Sequence, residues 1–259
     1  MIEIANIDSG YGKKTVLHGL SLTFKEGEVL SVVGPNGSGK STLFKTVSGI
    51  IATSRGDIII DGVSASRLTS RQRALKISYL PQESAIPDMS VYDCVLQGRY
   101  PHVGVFGGYG KRDRCVAERI MEKMGLSVLS DKKMSELSGG MRRRVHIASA
   151  LAEESDHILL DEPCAYLDVG AKLELMSLLK TLARSLKKAV VLVIHDLPLA
   201  FNVSDRIAVI KDGVCVIADT PDAVLKSGCV KDVFGAELVK TSDGYCLSYK
   251  QISQIGVVL

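Results

Sequence analysis

Residues Glu28–Val33 form an apolar, β-branched run that passes directly into Gly34-Pro35-Asn36-Gly37-Ser38-Gly39-Lys40-Ser41-Thr42, and helical spacing takes over across Lys40–Ser48. A strand, a glycine-rich turn and a helix in immediate succession open an α/β sheet that receives a ligand at the strand ends. Gly34, Gly39, Lys40 and Ser41 occupy the required places of G-x-x-x-x-G-K-[ST]. Glycine lets the backbone curl, so that the N–H groups from Asn36, Gly37, Ser38 and Gly39 through Thr42 face phosphate oxygens. The following helix adds its positive N-terminal end. Lys40 is then placed to reach the β- and γ-phosphates of a nucleoside triphosphate, and the Ser41 hydroxyl to hold Mg²⁺.

A second constellation lies downstream. His157-Ile-Leu-Leu-Asp161-Glu162-Pro163 reads as a buried strand ending in two acids. Asp161 is the expected second Mg²⁺ anchor beside a phosphate cradle. Glu162 projects the other way and can accept the proton of an attacking water, help worth ~10²–10⁴-fold in rate.

Strand character is expected at Ile2–Ile7, Leu20–Phe24, Asp57–Ile60, Lys76–Leu80 and Ala189–Ile194, with a turn near Ser9–Gly12 and a hairpin at Ile207–Ile210/Val214–Ala218. Between Ser90 and Glu154 continuous β runs give way to helical spacing over Ser90–Gly98, Asp113–Met124 and Met141–Ala152, with a glycine-rich loop at Val103–Gly110. A helix at about Gly170–Leu186, a short helix after Pro221 and weak strand signal near Tyr245–Lys250 complete the pattern.

No stretch of the 259 residues approaches the ~18 consecutive apolar residues of a membrane span, and the N-terminus has no basic start followed by an apolar block. The expectation is a cytoplasmic protein whose membrane role comes through a partner. A net charge of +3 is too small and dispersed for nucleic acid, and Arg142-Arg143-Arg144 reads as a solvated helix face. The six cysteines lack Cys-x-x-Cys spacing, which argues against a zinc or redox site.

Leu137-Ser138-Gly139-Gly140 stands about twenty residues before the Asp161–Glu162 strand, at the start of a helix. With the phosphate cradle before it and Leu-Leu-Asp-Glu-Pro after it, the chain resembles the ABC transporter ATP-binding cassettes over roughly Ile2 to Leu225. The resemblance implies an α/β P-loop NTPase: a RecA-like mixed sheet core, an N-terminal antiparallel β subdomain and an α-helical insertion. Residues 1–225 would be the ATPase domain, with the helical part at about 83–155, and 226–259 a C-terminal extension packed on it. ATP and Mg²⁺ are the implied ligands. By motif position, Tyr11 would stack on adenine. Gln82 would touch Mg²⁺ and the attacking water, and His195 the γ-phosphate. Asp168, in Ala165-Tyr-Leu-Asp168, would communicate between sites. Two chains would pair head to tail, Ser138, Gly139 and Gly140 of one acting on the nucleotide of the other. Met141 departs from the usual Gln or Glu of such cassettes, and Cys164-Ala165-Tyr166 from the usual Thr-Ser-Ala or Thr-Ser-His.

The further partners implied are a separate integral-membrane permease, which would hold the chain on the inner face of the membrane, and, indirectly, a substrate-binding protein. Gln97-Gly98-Arg99-Tyr100-Pro101-His102 resembles a stretch of cassettes serving iron–siderophore, haem and cobalamin importers. It is expected to face the permease, with Tyr100, Phe106 and Tyr109 as exposed aromatics. The alternatives are a zinc or manganese importer, or a soluble ABC ATPase outside transport.

Overall fold

The computed structural model describes residues 1–104 and 107–248; Phe106 and the end of the expected Tyr245–Lys250 strand lie outside them. In chain order the elements are β1 (Ile2–Tyr11), β2 (Lys14–Phe24), β3 (Val29–Val33), α1 (Lys40–Val47), β4 (Thr53–Ile60), β5 (Val63–Ser64), α2 (Ser70–Lys76), β6 (Ile77–Leu80), α3 (Val91–Gln97), α4 (Lys111–Lys123), α5 (Gly139–Ala152), β7 (His157–Asp161), α6 (Val169–Leu186), β8 (Ala189–Val193), α7 (Leu197–Val203), β9 (Arg206–Lys211), β10 (Val214–Asp219), α8 (Pro221–Lys226), α9 (Cys229–Phe234), β11 (Glu237–Thr241) and β12 (Gly244–Ser248).

Every residue of β3, β7 and β8 is buried, as parallel strands covered on both faces must be. They belong to a six-stranded sheet of order β10-β9-β3-β8-β7-β6, parallel except for the β9–β10 hairpin. Alternate residues feed two separate cores. Val29, Val33, Ile158, Leu160, Val190 and Leu192 pack on the side of α3–α7. Leu30, Val32, Leu159, Val191 and Val193 pack on the opposite side against α1 and the first two strands. The strand period of two is thus what joins the two layers through one sheet. Among the described residues, no helix is long and apolar enough to cross a membrane.

The second layer is an antiparallel sheet of order β2-β1-β4-β5. Its first hairpin is longer than the alternation implied, and its tip falls at Gly12–Lys13, not across Ser9–Gly12. Register shifts between Ile4 and Gly10, with Asn6 and Gly19 at positive φ, break the alternation by which a strand is read. Helix α2 was not visible in the apolar spacing because it buries no residue; a Thr69–Gln72 capping box starts it.

Candidate nucleotide site

The turn between β3 and α1 closes because two of its positions, Gly34 and Gly39, lack side chains. A Cβ on Gly34 would lie 2.2 Å from the Ile210 carbonyl oxygen, and Gly39, the residue before α1, has φ 104°. Lys40 is 6% exposed, and its Nζ donates to the carbonyls of Gly34 (2.9 Å) and Pro35 (2.8 Å). Burial lowers the Lys40 ammonium pKa, while the charges of Asp161 and Glu162 oppose that shift.

Two parallel strands bring the acids to this turn. Asp161 ends β7 at 1% exposure, and neither of its carboxylate oxygens has a hydrogen bond of ordinary geometry. Burial pushes its carboxyl pKa up; the neighbouring Ser41 hydroxyl favours the charged form. An orphaned buried carboxylate beside a hydroxyl is a hard-oxygen donor pair that suits Mg²⁺. At Glu162 the backbone turns left-handed, φ 52°, and its N–H donates to the Val193 carbonyl at 3.1 Å. That turn throws the side chain out of the strand, where Oε1 stands 2.7 Å from His195 Nε2, just past β8.

The structure gathers Asn36, Gly37, Gly39, Lys40, Ser41, Thr42, Gln82, Glu162 and His195 around one open cavity of about 560 Å³. Val16 of β2 also lines it, and no polar motif announced that residue. Gly34, Ser38 and Asp161 support the turn and strand from behind this lining. Tyr11 is not part of it: the ring is half exposed, 5.9 Å from Lys45 Nζ.

Ser138 and Gly140 line a different cavity, together with Met141, Tyr166 and Asp168. Ser138 caps α5, its hydroxyl accepting from Met141 N–H at 3.3 Å. A Cβ on Gly140 would lie 2.8 Å from the Tyr166 carbonyl oxygen, so the loop before α6 rests directly on this helix start. Asp168 caps α6, accepting from Ala171 N–H at 2.8 Å.

Two surface expectations change. Arg143 is not solvated: it is 4% exposed and donates to the carbonyls of Pro81, Gln82, Asp161 and Glu162. In the Gln97–His102 stretch, Arg99 is 1% exposed and paired with Asp113 and Glu154, and His102 Nε2 lies 2.7 Å from the Glu153 carbonyl oxygen. Tyr100 does project, at 74% exposure, whereas Tyr109 is half-buried against the larger core.

Comparison with known proteins gives the family and the fold. The family model described as ABC transporter matches residues 17–165. The iron(3+)-hydroxamate import ATP-binding protein of Bacillus subtilis is 33% identical over 249 residues, 94% of this chain and 93% of that protein. Among solved structures, the dimeric bacterial ABC transporter cassette MJ0796 is 30% identical, with a TM-score of 0.76, covering 85% of this chain and 99% of that one. A transporter described as metal-chelate type, in an inward-facing conformation, is 26% identical with a TM-score of 0.80, covering 97% of this chain and 98% of that one.

Proposed function

The chain belongs to the ABC transporter ATP-binding cassettes and is the ATP-hydrolysing subunit of an importer, and within that family we propose that its cargo is an iron chelate of the siderophore class. The similarity to an iron(3+)-hydroxamate import ATPase and to a metal-chelate type transporter supports this reading, as does the Gln97–His102 stretch.

The observation that carries the site assignment is the Glu162–His195 pair, 2.7 Å apart, on the wall of the cavity that also holds Lys40 and Ser41. Lys40 and the N–H groups of Asn36–Thr42 bind the phosphates. Glu162 takes the proton from the attacking water, while His195 orients that carboxylate and faces the γ-phosphate. Ser41, Asp161 and Gln82 would hold Mg²⁺, which neutralises charge on the phosphate oxygens when bound. Ser138, Gly139 and Gly140 face the nucleotide of a second copy, and Asp168 holds the loop between the two. The exposed Tyr100 lies on the surface that meets the permease. Tyr11, outside the cavity lining, would stack on the adenine.

Replacing the chromosomal copy with a Lys40→Ala chain tests the cargo. Uptake of radio-iron supplied as a hydroxamate chelate should be lost while zinc and manganese uptake continue. Loss confined to haem or cobalamin would move the assignment to those chelates. Loss of zinc or manganese uptake alone would overturn it. A chain that never fractionates with membranes would point to an ATPase outside transport.

A further inference from the structure

Strands β6 and β7 pair in parallel from Ile77↔His157 to Leu80↔Leu160, and there the ladder stops. The next carbonyls on the two segments are those of Pro81 and Gln82 and those of Asp161 and Glu162, beyond the last β6–β7 rung, although Asp161 still pairs with Val193 of β8. The guanidinium of Arg143 sits between them. Its Nη1 donates to Pro81 (2.8 Å) and Gln82 (3.2 Å); its Nη2 donates to Asp161 and to Glu162 (3.0 Å). One nitrogen serves each segment, which is what a planar fork can do and a single ammonium cannot.

We infer that Arg143 is a positioning residue for hydrolysis, extending the β6–β7 pairing beyond its last rung and holding Gln82 and Glu162 in fixed relation across the nucleotide cavity. The inference rests on the proposed roles of those two residues. Arg143 does not line the nucleotide cavity; it acts through the backbones of Gln82 and Glu162. Both residues stand on irregular backbone, Gln82 in a loop and Glu162 at positive φ, and the β6–β7 ladder reaches neither; Glu162 keeps a backbone bond to β8, from its N–H to the Val193 carbonyl. Misplacement by about 1 Å is enough to cost ~10²-fold in rate.

Arg143 also lies on α5, the helix capped by Ser138. Any shift of that helix start, where the partner's nucleotide is proposed to bind, moves the guanidinium and with it the carboxylate loop of the same chain. The two sites of a dimer are thereby linked through one side chain.

ATP turnover of the full-length chain tests this with Arg143→Lys and Arg143→Met, using Glu162→Gln as control. Arg143→Lys keeps a buried cation and should retain a near-normal thermal midpoint. Its kcat should nonetheless fall ~10-fold or more, with KM for ATP held within about threefold, as expected for lost positioning at intact binding. Arg143→Met should fall at least as far. Unchanged kcat in Arg143→Lys, or losses that only track the folded fraction in both variants, would overturn the inference. If Glu162→Gln stays active, the proposed base and this inference fail together. If it is inactive while Arg143→Lys turns over normally, only the inference fails. Combining Ser138→Ala with Arg143→Lys should cost less than the product of the single losses, because both act through the placement of α5. A strictly multiplicative loss would overturn the link between sites.

Discussion

Glu162 owes its reach to its own backbone. Continued as a strand, the chain after Asp161 would aim the next side chain across the sheet; at φ 52° it meets His195 instead. Changing Glu162→Gln keeps the shape and removes the proposed proton acceptor. ATP binding should persist and phosphate release should drop by ~10²-fold or more. Release at close to the unmodified rate would remove Glu162 from the base role. At this scale the sequence was legible wherever a motif prescribes both residue type and neighbour, as for Lys40, Asp161, Glu162 and His195. Arg143 was not, because three consecutive arginines have the composition of a solvated face. What buries the middle one is a set of backbone carbonyls at and just beyond the ends of two strands, which only the folded sheet brings together. Val16 likewise lines the cavity through the β2 hairpin, with no signal of its own.

Among the elements, β3, β7 and β8 were readable because each is a short apolar run that ends in a motif. The first hairpin was not, since its bulges shift the register and scramble the alternation. The helices between β6 and β7 show how a stretch can be noticed for the wrong reason. Arg99 looks like part of a contact surface in sequence, yet it is the node that joins three helical segments. Its Nε lies 3.1 Å from Asp113 Oδ1 at the start of α4. Nη1 reaches Ala152 O at 2.6 Å, the last residue of α5, and Glu154 Oε2 at 3.1 Å just beyond. Removing one partner of a buried ion pair strands the others, at about 3 kcal/mol or more, and the partly exposed Glu154 brings that down toward about 2. Arg99→Met should therefore lower unfolding free energy in urea by roughly 2–3 kcal/mol. The folded fraction should still bind ATP. A loss below about 0.5 kcal/mol, the range of an ordinary surface substitution, would show that the node is not energetically important.

For the whole molecule, the question is how many chains make one working site. The chain carries one phosphate cradle and one Ser138–Gly140 turn, and the fold places them on separate cavities, with Lys40 and Ser138 sharing no lining. If the second turn completes the site of a partner, two different defects can compensate. A Lys40→Ala chain lacks a working cradle but keeps its Ser138 turn. A Ser138→Arg chain keeps its cradle but places a bulky cation at the turn. Each alone forms dimers in which both sites are spoiled. Mixed, the two chains form some dimers in which the intact cradle of one faces the intact turn of the other. The opposite site in those dimers carries both defects. An equal mixture should then recover activity from two inactive preparations, up to about a quarter of the unmodified rate for random pairing of chains around a two-fold axis. Recovery should follow dimer formation as ATP and protein concentration rise, measured by phosphate release alongside sedimentation. A site completed within one chain predicts no recovery at any ratio. Mixed dimers that form and stay inactive would therefore refute the shared site.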